Sequence, residues 1–353
     1  MTDPAVEPQR RPSVSEWKAL VENFQEPSDS RAAWQVTSTL VAYVAAWLLM
    51  ILAWSAAWWL ALPVAVIAAG LLVRLFIIFH DCGHGSFFRS HTANSIVGFV
   101  AGVLTWTPFH HWRGEHARHH KTSGDLNRRG VGDIWTMTVE EYLAASRWRR
   151  LLYRLSRNPL VLFGIAPLFV FVVYQRLPSR GVPDRDRRSV WWTNLALVAL
   201  AAAMIWAVGP LAYLVLQGTV MAVGGSMGVW LFYVQHQFEG AYWQRGEAWD
   251  YTDAALRGSS FYRLPRVLQW FSGNIGFHHV HHLSPRIPNY RLEACHRSHP
   301  VFRAVPELTL AQGWRSARLR LWDESRGKLV GFREARRVRE ARRAAGRADC
   351  GAD

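Results

Sequence analysis

The chain has 353 residues, of which 50% are hydrophobic and 19% are charged, and its formal net charge is +15 at pH 7. The apolar residues lie in long uncharged runs, which excludes an ordinary soluble domain, and the three cysteines are too few and too scattered for a disulfide framework or a CxxC metal site. The basic residues flank the apolar runs in the manner of the positive-inside rule, so we expect no nucleic-acid partner.

The first part of the chain predicts a polar arm followed by a membrane hairpin. Residues 1–33 are polar and mixed in charge, and a short helix is expected near residues 14–24. Residues 36–73 carry no charge and are too long for one spanning helix but suitable for two, at roughly 20 residues per crossing. We therefore predict transmembrane helices at residues 35–58 and 62–82. Their connection has no Lys or Arg, which places it outside the cytoplasm.

A second uncharged run, residues 190–235, predicts transmembrane helices at residues 189–208 and 211–236. Between the hairpins, residues 94–109 are apolar but short, so we expect a half-buried or in-plane helix there. Residues 158–175 are just long enough to span the membrane. A fifth crossing would, however, put the histidines near the ends of the two hairpins on opposite sides, so we predict an interfacial or re-entrant segment.

These segments predict an all-α integral membrane fold with four transmembrane helices in two hairpins, additional interfacial helices and a cytoplasmic helical cap. We expect three parts, namely a polar N-terminal arm at residues 1–33, a membrane domain with its cap at residues 34–300 and a basic helical tail at residues 301–353. The pattern of residues 308–347 is helical and rich in arginine. We interpret this tail as a solvated helix near anionic headgroups, with a docking surface for an acidic protein as the alternative.

Eight of the fifteen histidines lie in three clusters near the predicted cytoplasmic ends of the membrane helices. One cluster has i, i+4 spacing and the others read HxxHH, so the imidazoles of each share one helical face. Neutral imidazole suits Zn, Cu, Fe and Ni, and eight rings exceed what one tetrahedral zinc ion uses. The sequence therefore predicts two metal ions. The proposed ligands are His80 and His84, then His116, His119 and His120, then His278, His281 and His282.

At these residues the sequence resembles the membrane fatty acid desaturases, whose HxxxH, HxxHH and HxxHH motifs match in order and spacing. The flanking segments are most similar to those of bacterial acyl-lipid omega-6 (delta-12) desaturases, and the resemblance covers roughly residues 35–300. It implies a di-iron enzyme that uses O2 to introduce a cis double bond, converting oleoyl to linoleoyl chains. It also implies a fatty acyl lipid as substrate, and a ferredoxin-like electron donor with its reductase.

Because the hairpin connections lack basic residues, we expect the active site and both termini on the cytoplasmic side of the inner (cytoplasmic) membrane. The resemblance suggests His236, near the end of the fourth membrane helix, as a ninth metal ligand, and no catalytic residues beyond the ligands. Some relatives have an asparagine one turn before that histidine, where this chain has Phe232.

Further residues are candidates for supporting roles. We expect His110, His111 and His279 to contact the metal ligands or the substrate, and we expect ordinary surface or interfacial positions for His91, His296 and His299. Candidates to accept the distal N–H of a ligand imidazole are Asp81, Glu115, Asp125, Asp133 and Glu239. Candidates to line an acyl tunnel are Trp106, Trp112 and Trp135.

Other functions compete with this interpretation. A membrane zinc protease is suggested by HDCGH, in which an acid follows the first histidine as in HExxH, but such an enzyme has no use for two HxxHH clusters. A metal transporter would need polar groups near the membrane midplane, where the predicted helices are apolar. Within the superfamily, a hydroxylase, a carotenoid ketolase or an alkane monooxygenase could use the same iron pair.

Overall fold

The structure, a computed structural model, describes residues 13–130 and 132–349. Its α-helices are α1 (Val14–Glu22), α2 (Asp29–Ala56), α3 (Ala61–His84), α4 (His91–Leu104), α5 (Phe109–Thr122), α6 (Val139–Ala144), α7 (Arg147–Ser156), α8 (Ala166–Val172), α9 (Asp184–Val208), α10 (Pro210–His236), α11 (Tyr251–Leu256), α12 (Arg266–Phe271), α13 (His278–Leu283), α14 (Asn289–Ser298), α15 (Pro300–Arg303), α16 (Leu310–Ser316) and α17 (Phe332–Asp349). The short strands are β1 (Met137–Thr138), β2 (Phe261–Tyr262), β3 (Glu307–Leu308), β4 (Leu321–Asp323) and β5 (Lys328–Val330).

Four of the described helices, α2, α3, α9 and α10, are long and apolar enough to cross a membrane. This confirms the predicted all-α membrane fold and its two hairpins. Helices α2 and α9 begin earlier than predicted, at Asp29 and Asp184, because polar residues continue each helix beyond its apolar run. Acidic side chains in a first turn are favoured by the positive end of the helix dipole.

Helix α3 forms the centre of the membrane part and packs against α2, α4 and α10. Its face toward these helices is buried, with Leu75, Ile78 and Phe79 almost inaccessible. The outer helices instead present large apolar side chains outward, such as Leu52 of α2 and Trp206 of α9, which is 90% exposed. A soluble protein rarely exposes such surfaces, whereas lipid covers them at no cost.

The region predicted to be interfacial or re-entrant is bent. Helix α7 and the following apolar helical segment Leu160–Arg176 meet at an angle of 59° and do not form one straight helix. The segment packs closely on α10, where a Cβ added to Gly225 would stand 3.0 Å from Pro167 Cβ. The Ser226 hydroxyl also donates to the backbone oxygen of Phe163 at 2.5 Å. The small residues of α10 therefore permit this close approach, as is common between membrane helices.

The short apolar segment of residues 94–109 is only partly helical. Helix α4 has 14 residues and is about 21 Å long, which is less than the roughly 30 Å of a bilayer core. The chain then turns through Trp106, which has a positive φ of 57°, and α5 begins at Phe109. The segment thus ends earlier than predicted and redirects the chain into the helix that carries the second histidine cluster.

The prediction of continuous helix over residues 308–347 is wrong in its middle. Strands β4 and β5 form an antiparallel pair there, and β4 also pairs in parallel with the distant β1, so that Met137 lies opposite Leu321. Strands β2 and β3 form a second parallel pair. The predicted N-terminal helix is confirmed as α1, whose Trp17 packs in the same apolar cluster as Phe302. The proposed division into three parts remains a prediction.

Candidate metal centre

Four helices bring the nine predicted histidines together. Helix α3 carries the first pair in its last turns, α5 the second cluster, the end of α10 the single histidine, and α13 the third cluster. Helix α3 can stop directly after its histidines because Gly85 adopts the left-handed conformation at its C-cap, with φ of 69°. The predicted helical register is thus realised in all three clusters.

Five rings form one group, which we call the five-histidine cluster: His80, His84, His116, His120 and His281. One nitrogen from each ring lies within 4.8 Å of the nitrogens of all the others. The Nε2 atom of His116 is 3.0 Å from Nε2 of both His80 and His120, and Nε2 of His120 is 3.0 Å from Nε2 of His281. These nitrogens therefore converge on a common point.

The remaining four rings form a second group, which we call the four-histidine cluster: His119, His236, His278 and His282. Nitrogens of His119, His236 and His282 lie within 4.8 Å of one another. The Nε2 atom of His236 is 3.2 Å from that of His119 and 2.9 Å from that of His278. The two clusters adjoin through His120 and His282, whose rings stack with centroids 4.2 Å apart.

The donor set fits metal ions. Two nitrogens that each bind one metal at about 2.1 Å, at right angles, stand about 3.0 Å apart, which agrees with the spacing within both clusters. Among the described residues, the buried Nε2 atoms of His84 and His282 have no hydrogen-bond partner. Burying a nitrogen without a hydrogen-bond partner costs free energy of folding unless a ligand, such as a metal ion, binds it. Nine imidazoles in two adjoining groups could hold two imidazole-preferring metal ions.

The local electrostatics favour neutral rings. Burial lowers the pKa values of His116, His120 and His281 well below their ordinary range, and the neighbouring imidazoles lower them further because several like charges cannot share the site. The same causes lower the pKa values of His278 and His282. These rings are therefore neutral near pH 7, which is the protonation state that binds a metal.

Two of the five predicted carboxylates contact a histidine. The Nδ1 atom of His80 lies 2.9 Å from Asp81 Oδ1, and Nδ1 of His119 lies 2.6 Å from Asp133 Oδ1. Each carboxylate can accept the distal N–H and thereby fix Nε2 toward its cluster. Asp81 also accepts hydrogen bonds from the backbone N–H and the side-chain amide of Asn289, so it joins α3 to the start of α14.

The other three acids have different partners. Glu115 accepts hydrogen bonds from Tyr174 and Ser179, Asp125 pairs with Arg128, and Glu239 pairs with Lys328. The prediction for these three was wrong, because short distance along the sequence does not fix the direction of a side chain. Asn289 was not predicted, and its position in PRIPNY near the third cluster was its only signal.

A cavity of about 550 Å³ extends from the five-histidine cluster between α3, α10 and α8. Its wall is largely apolar, and His80, His116 and His278 are among its lining residues. Trp112 lines it, as predicted, and stacks on His116 with ring centroids 4.3 Å apart. Trp106 and Trp135 are not part of its wall. The apolar lining includes Leu72, Phe76, Ile77, Val170, Phe171, Met221 and Phe232.

Comparison with known proteins identifies the family. The sequence model of the family described as fatty acid desaturase matches residues 56–314. The chain belongs to this family. A fatty acid desaturase of Bacillus subtilis (strain 168) is 46% identical over 315 residues, which cover 89% of this chain and 90% of that protein. The sn-1 oleoyl-lipid 12-desaturase of Synechocystis is 29% identical over 251 residues, covering 68% of each chain.

A third relative is the chloroplastic sn-2 acyl-lipid omega-3 desaturase (ferredoxin) of Helianthus annuus, which is 29% identical over 268 residues, or 69% of this chain and 56% of that protein. Membership in the family makes this protein a membrane-embedded oxidoreductase that desaturates fatty acyl chains. The two histidine clusters are its candidate metal centre.

The remaining histidines of this desaturase lie outside the two clusters. His111 is buried and its Nε2 lies 3.1 Å from the Ser179 hydroxyl. The rings of His279 and His296 contact each other, with His296 Nδ1 3.1 Å from His279 Nε2. His296 is buried, so its prediction as a surface or interfacial residue was wrong, because its partner His279 is distant in sequence. Phe232 contacts the rings of both His119 and His236.

Proposed function

We propose that this protein is an oxygen-dependent di-iron desaturase that introduces a cis double bond into the acyl chains of membrane lipids, at the omega-6 (delta-12) position of oleoyl chains. The observation that carries the proposal is the largely apolar cavity whose lining includes His80, His116 and His278. A hydrocarbon chain in that cavity would lie beside the histidine clusters, away from bulk water. Its volume is within the usual range for a ligand site.

The nine histidines would hold two iron ions, five rings at one ion and four at the other, with His236 in the second group. A pair of iron ions that leaves room for O2 supplies the oxidising power to break an unactivated C–H bond, which acid–base side chains lack. Asp81 and Asp133 would fix the orientation of two rings. Trp112, Ile77 and Phe232 would position the acyl chain and exclude water from it.

The reaction needs an external reductant. The hydrogens removed from the acyl chain supply only half of the electrons that complete reduction of O2 consumes, so a separate donor must provide the rest. A ferredoxin-like protein with its reductase is our proposed donor, and the name of the Helianthus annuus relative includes ferredoxin. We place the histidine clusters and both termini on the cytoplasmic side of the cell's inner membrane, because the hairpin connections lack basic residues.

The omega-6 position is supported by the Synechocystis relative, which is named as an oleoyl-lipid 12-desaturase, and by the likeness of the flanking segments. The test is a membrane fatty-acid profile with double-bond location, in a host without polyunsaturated lipids that expresses this chain and a ferredoxin system. We expect new linoleate formed from oleate. A double bond at another position would contradict the proposed regiochemistry. An oxygenated product would show that the protein is a hydroxylase and not a desaturase.

The matched control is His119→Ala, which removes a ring from the four-histidine cluster. We expect this variant to be present in the membrane and to form no linoleate. An active, fully iron-loaded His119→Ala variant would refute the assignment of His119 as a ligand. Iron per chain, measured on the purified protein, separates this outcome from a failure of electron supply, because iron loading does not depend on the donor.

A further inference from the structure

An arginine-rich cleft lies between α7 and α17, away from the histidine clusters. The cleft has a volume of about 560 Å³, and five of its lining residues are arginines against a single carboxylate. The aromatic residues of its lining are Tyr142 and Phe332. The charged lining residues are Arg147, Arg150, Arg154, Arg336, Arg339 and Glu340.

The arginines of the cleft are available for a ligand. Among the described residues, none of the five forms an ion pair. Arg154 is already oriented, because its Nε donates to the Tyr142 hydroxyl at 2.5 Å and its guanidinium lies 5.5 Å from the centroid of the Phe332 ring. Five guanidinium groups that line one cleft repel one another unless an anion joins them. Planar guanidinium groups are well suited to binding phosphate.

The exposed residues of helix α7 indicate which molecule supplies that anion. Arg147, Arg150 and Arg154 line the cleft, while the neighbouring face of the helix carries Trp148 and Leu152, which are 75% and 57% exposed. The helix then leads into the apolar segment Leu160–Arg176, which packs on α10. An amphipathic helix with an exposed Trp and Leu face beside basic residues is typical of a helix at the membrane interface.

We propose that the cleft between α7 and α17 binds the phosphate headgroup of an anionic membrane lipid. The apolar face of α7 would lie among the acyl chains, so the arginines beside it would stand at the depth of the headgroups. An acidic soluble protein could match the charge but not the exposed apolar stripe of the same helix. The lipid is therefore the occupant that accounts for both features.

The proposal is tested with the iron-loaded full chain in nonionic detergent, by native mass spectrometry during titration with dipalmitoyl phosphatidylglycerol. Dipalmitoyl phosphatidylcholine, which has the same chains, controls for binding in the acyl cavity, and inorganic phosphate serves as a competitor. The test variant is Arg336→Gln with Arg339→Gln. The matched control is Arg333→Gln with Arg337→Gln, which removes the same charge from the same helix outside the cleft.

We expect phosphatidylglycerol to bind more tightly than phosphatidylcholine. The test variant should bind it about 30-fold more weakly, from about 1 kcal/mol per arginine near an anionic surface, and the control should change by less than about 3-fold. Arg150→Gln, on the opposite wall, should weaken binding about 5-fold and decides the question if the double variant misfolds.

Three outcomes would overturn the proposal. The first is equal weakening in test and control variants, which would mean a general charge effect. The second is displacement of phosphatidylglycerol by millimolar inorganic phosphate, which would mean a small-anion site. The third is unchanged lipid binding together with weaker binding of an acidic ferredoxin to the test variant, which would assign the cleft to the electron donor.

Discussion

Two carboxylates orient one histidine ring in each of the two clusters. Asp81 and Asp133 contact the distal nitrogens of His80 and His119, one ring in each cluster. Both carboxylates are largely buried, so these contacts are little weakened by solvent. In each cluster, therefore, a carboxylate sets the direction of one ring before a metal binds.

Replacing Asp133 by Asn should weaken metal binding without unfolding the protein. The amide can still accept the N–H of His119, but it lacks the negative charge that makes the imidazole a stronger ligand. We expect about 10- to 100-fold weaker binding at the four-histidine cluster. The measurement is iron retained per chain during titration with a chelator.

The matched control for this change is Glu239→Gln, which also neutralises an acid suggested by the sequence but whose partner is Lys328. It should retain iron like the parent protein. Equal iron loss in both variants would mean that the effect comes from overall charge and not from the contact with His119.

Substitution of His236 tests whether the four-histidine cluster holds its own metal ion. Its Nε2 lies between those of His119 and His278, so it is the ring that links the group. For His236→Ala we expect iron to fall from about two per chain toward one, because the five-histidine cluster stays complete. Metal analysis of the purified variant measures this directly.

His91→Ala is the control, since His91 is exposed and outside both clusters. It should keep the full iron content. If His236→Ala also keeps it, His236 does not bind the metal, and its contact with the Gly258 carbonyl oxygen at 3.4 Å would then give it a structural role.

At the scale of elements, the close packing of α10 against the bent segment Leu160–Arg176 requires that Gly225 has no side chain. A Cβ at Gly225 would approach Pro167 Cβ to 3.0 Å and Phe171 to 3.5 Å. Gly225→Val should therefore lower the free energy of unfolding by about 1 to 3 kcal/mol, the usual cost of overpacking. Thermal unfolding in detergent, followed as Tm, measures the effect.

Gly218→Val provides the comparison, because Gly218 lies on the same helix and no atom lies within 4 Å of a Cβ built there. The change of helix propensity is the same in both variants. A similar loss of Tm in both would show that propensity, and not the contact with Pro167, governs the result.

The elements that the sequence predicts correctly are those with a local cause. A charge-free run of sufficient length makes a spanning helix wherever it lies, and i, i+3, i+4 spacing puts histidines on one face. Other features have no local signal. The pairing of Met137 with Leu321 joins residues far apart in the chain, and the burial of His296 depends on His279. The choice of Asp133 over Glu239 as a histidine partner likewise follows from tertiary packing.

At the scale of the whole molecule, helix α1 and strand β5 both pack against segments that adjoin the histidine clusters. Helix α1 packs with the residues that follow α13, through Trp17 and Ile287. From the other end, the backbone N–H of Leu329 in β5 donates to the carbonyl oxygen of Glu239, just after α10. Four crossings would return the chain to its starting side, so an even number of crossings is consistent with this arrangement, whereas five crossings would separate the two ends.

Cysteine labelling tests this count. Cys82 and Cys295 are buried, and Cys350, which lies outside the described residues, is replaced by Ser. With four crossings, a membrane-impermeant thiol reagent should label Trp58→Cys and Leu211→Cys, at the two hairpin connections, in intact cells. The variants Arg180→Cys and Glu247→Cys should react only after the membrane is opened.

Arg180 is the decisive position, because it follows the bent segment Leu160–Arg176 and precedes α9. If that segment crossed the membrane, Arg180→Cys would react in intact cells while Arg128→Cys, placed before α7, would not. The second and third histidine clusters would then have to lie on opposite sides of the bilayer. Because Nε2 of His120 is 3.0 Å from Nε2 of His281, that labelling pattern would contradict the fold itself, whereas protection of both positions would support a re-entrant segment.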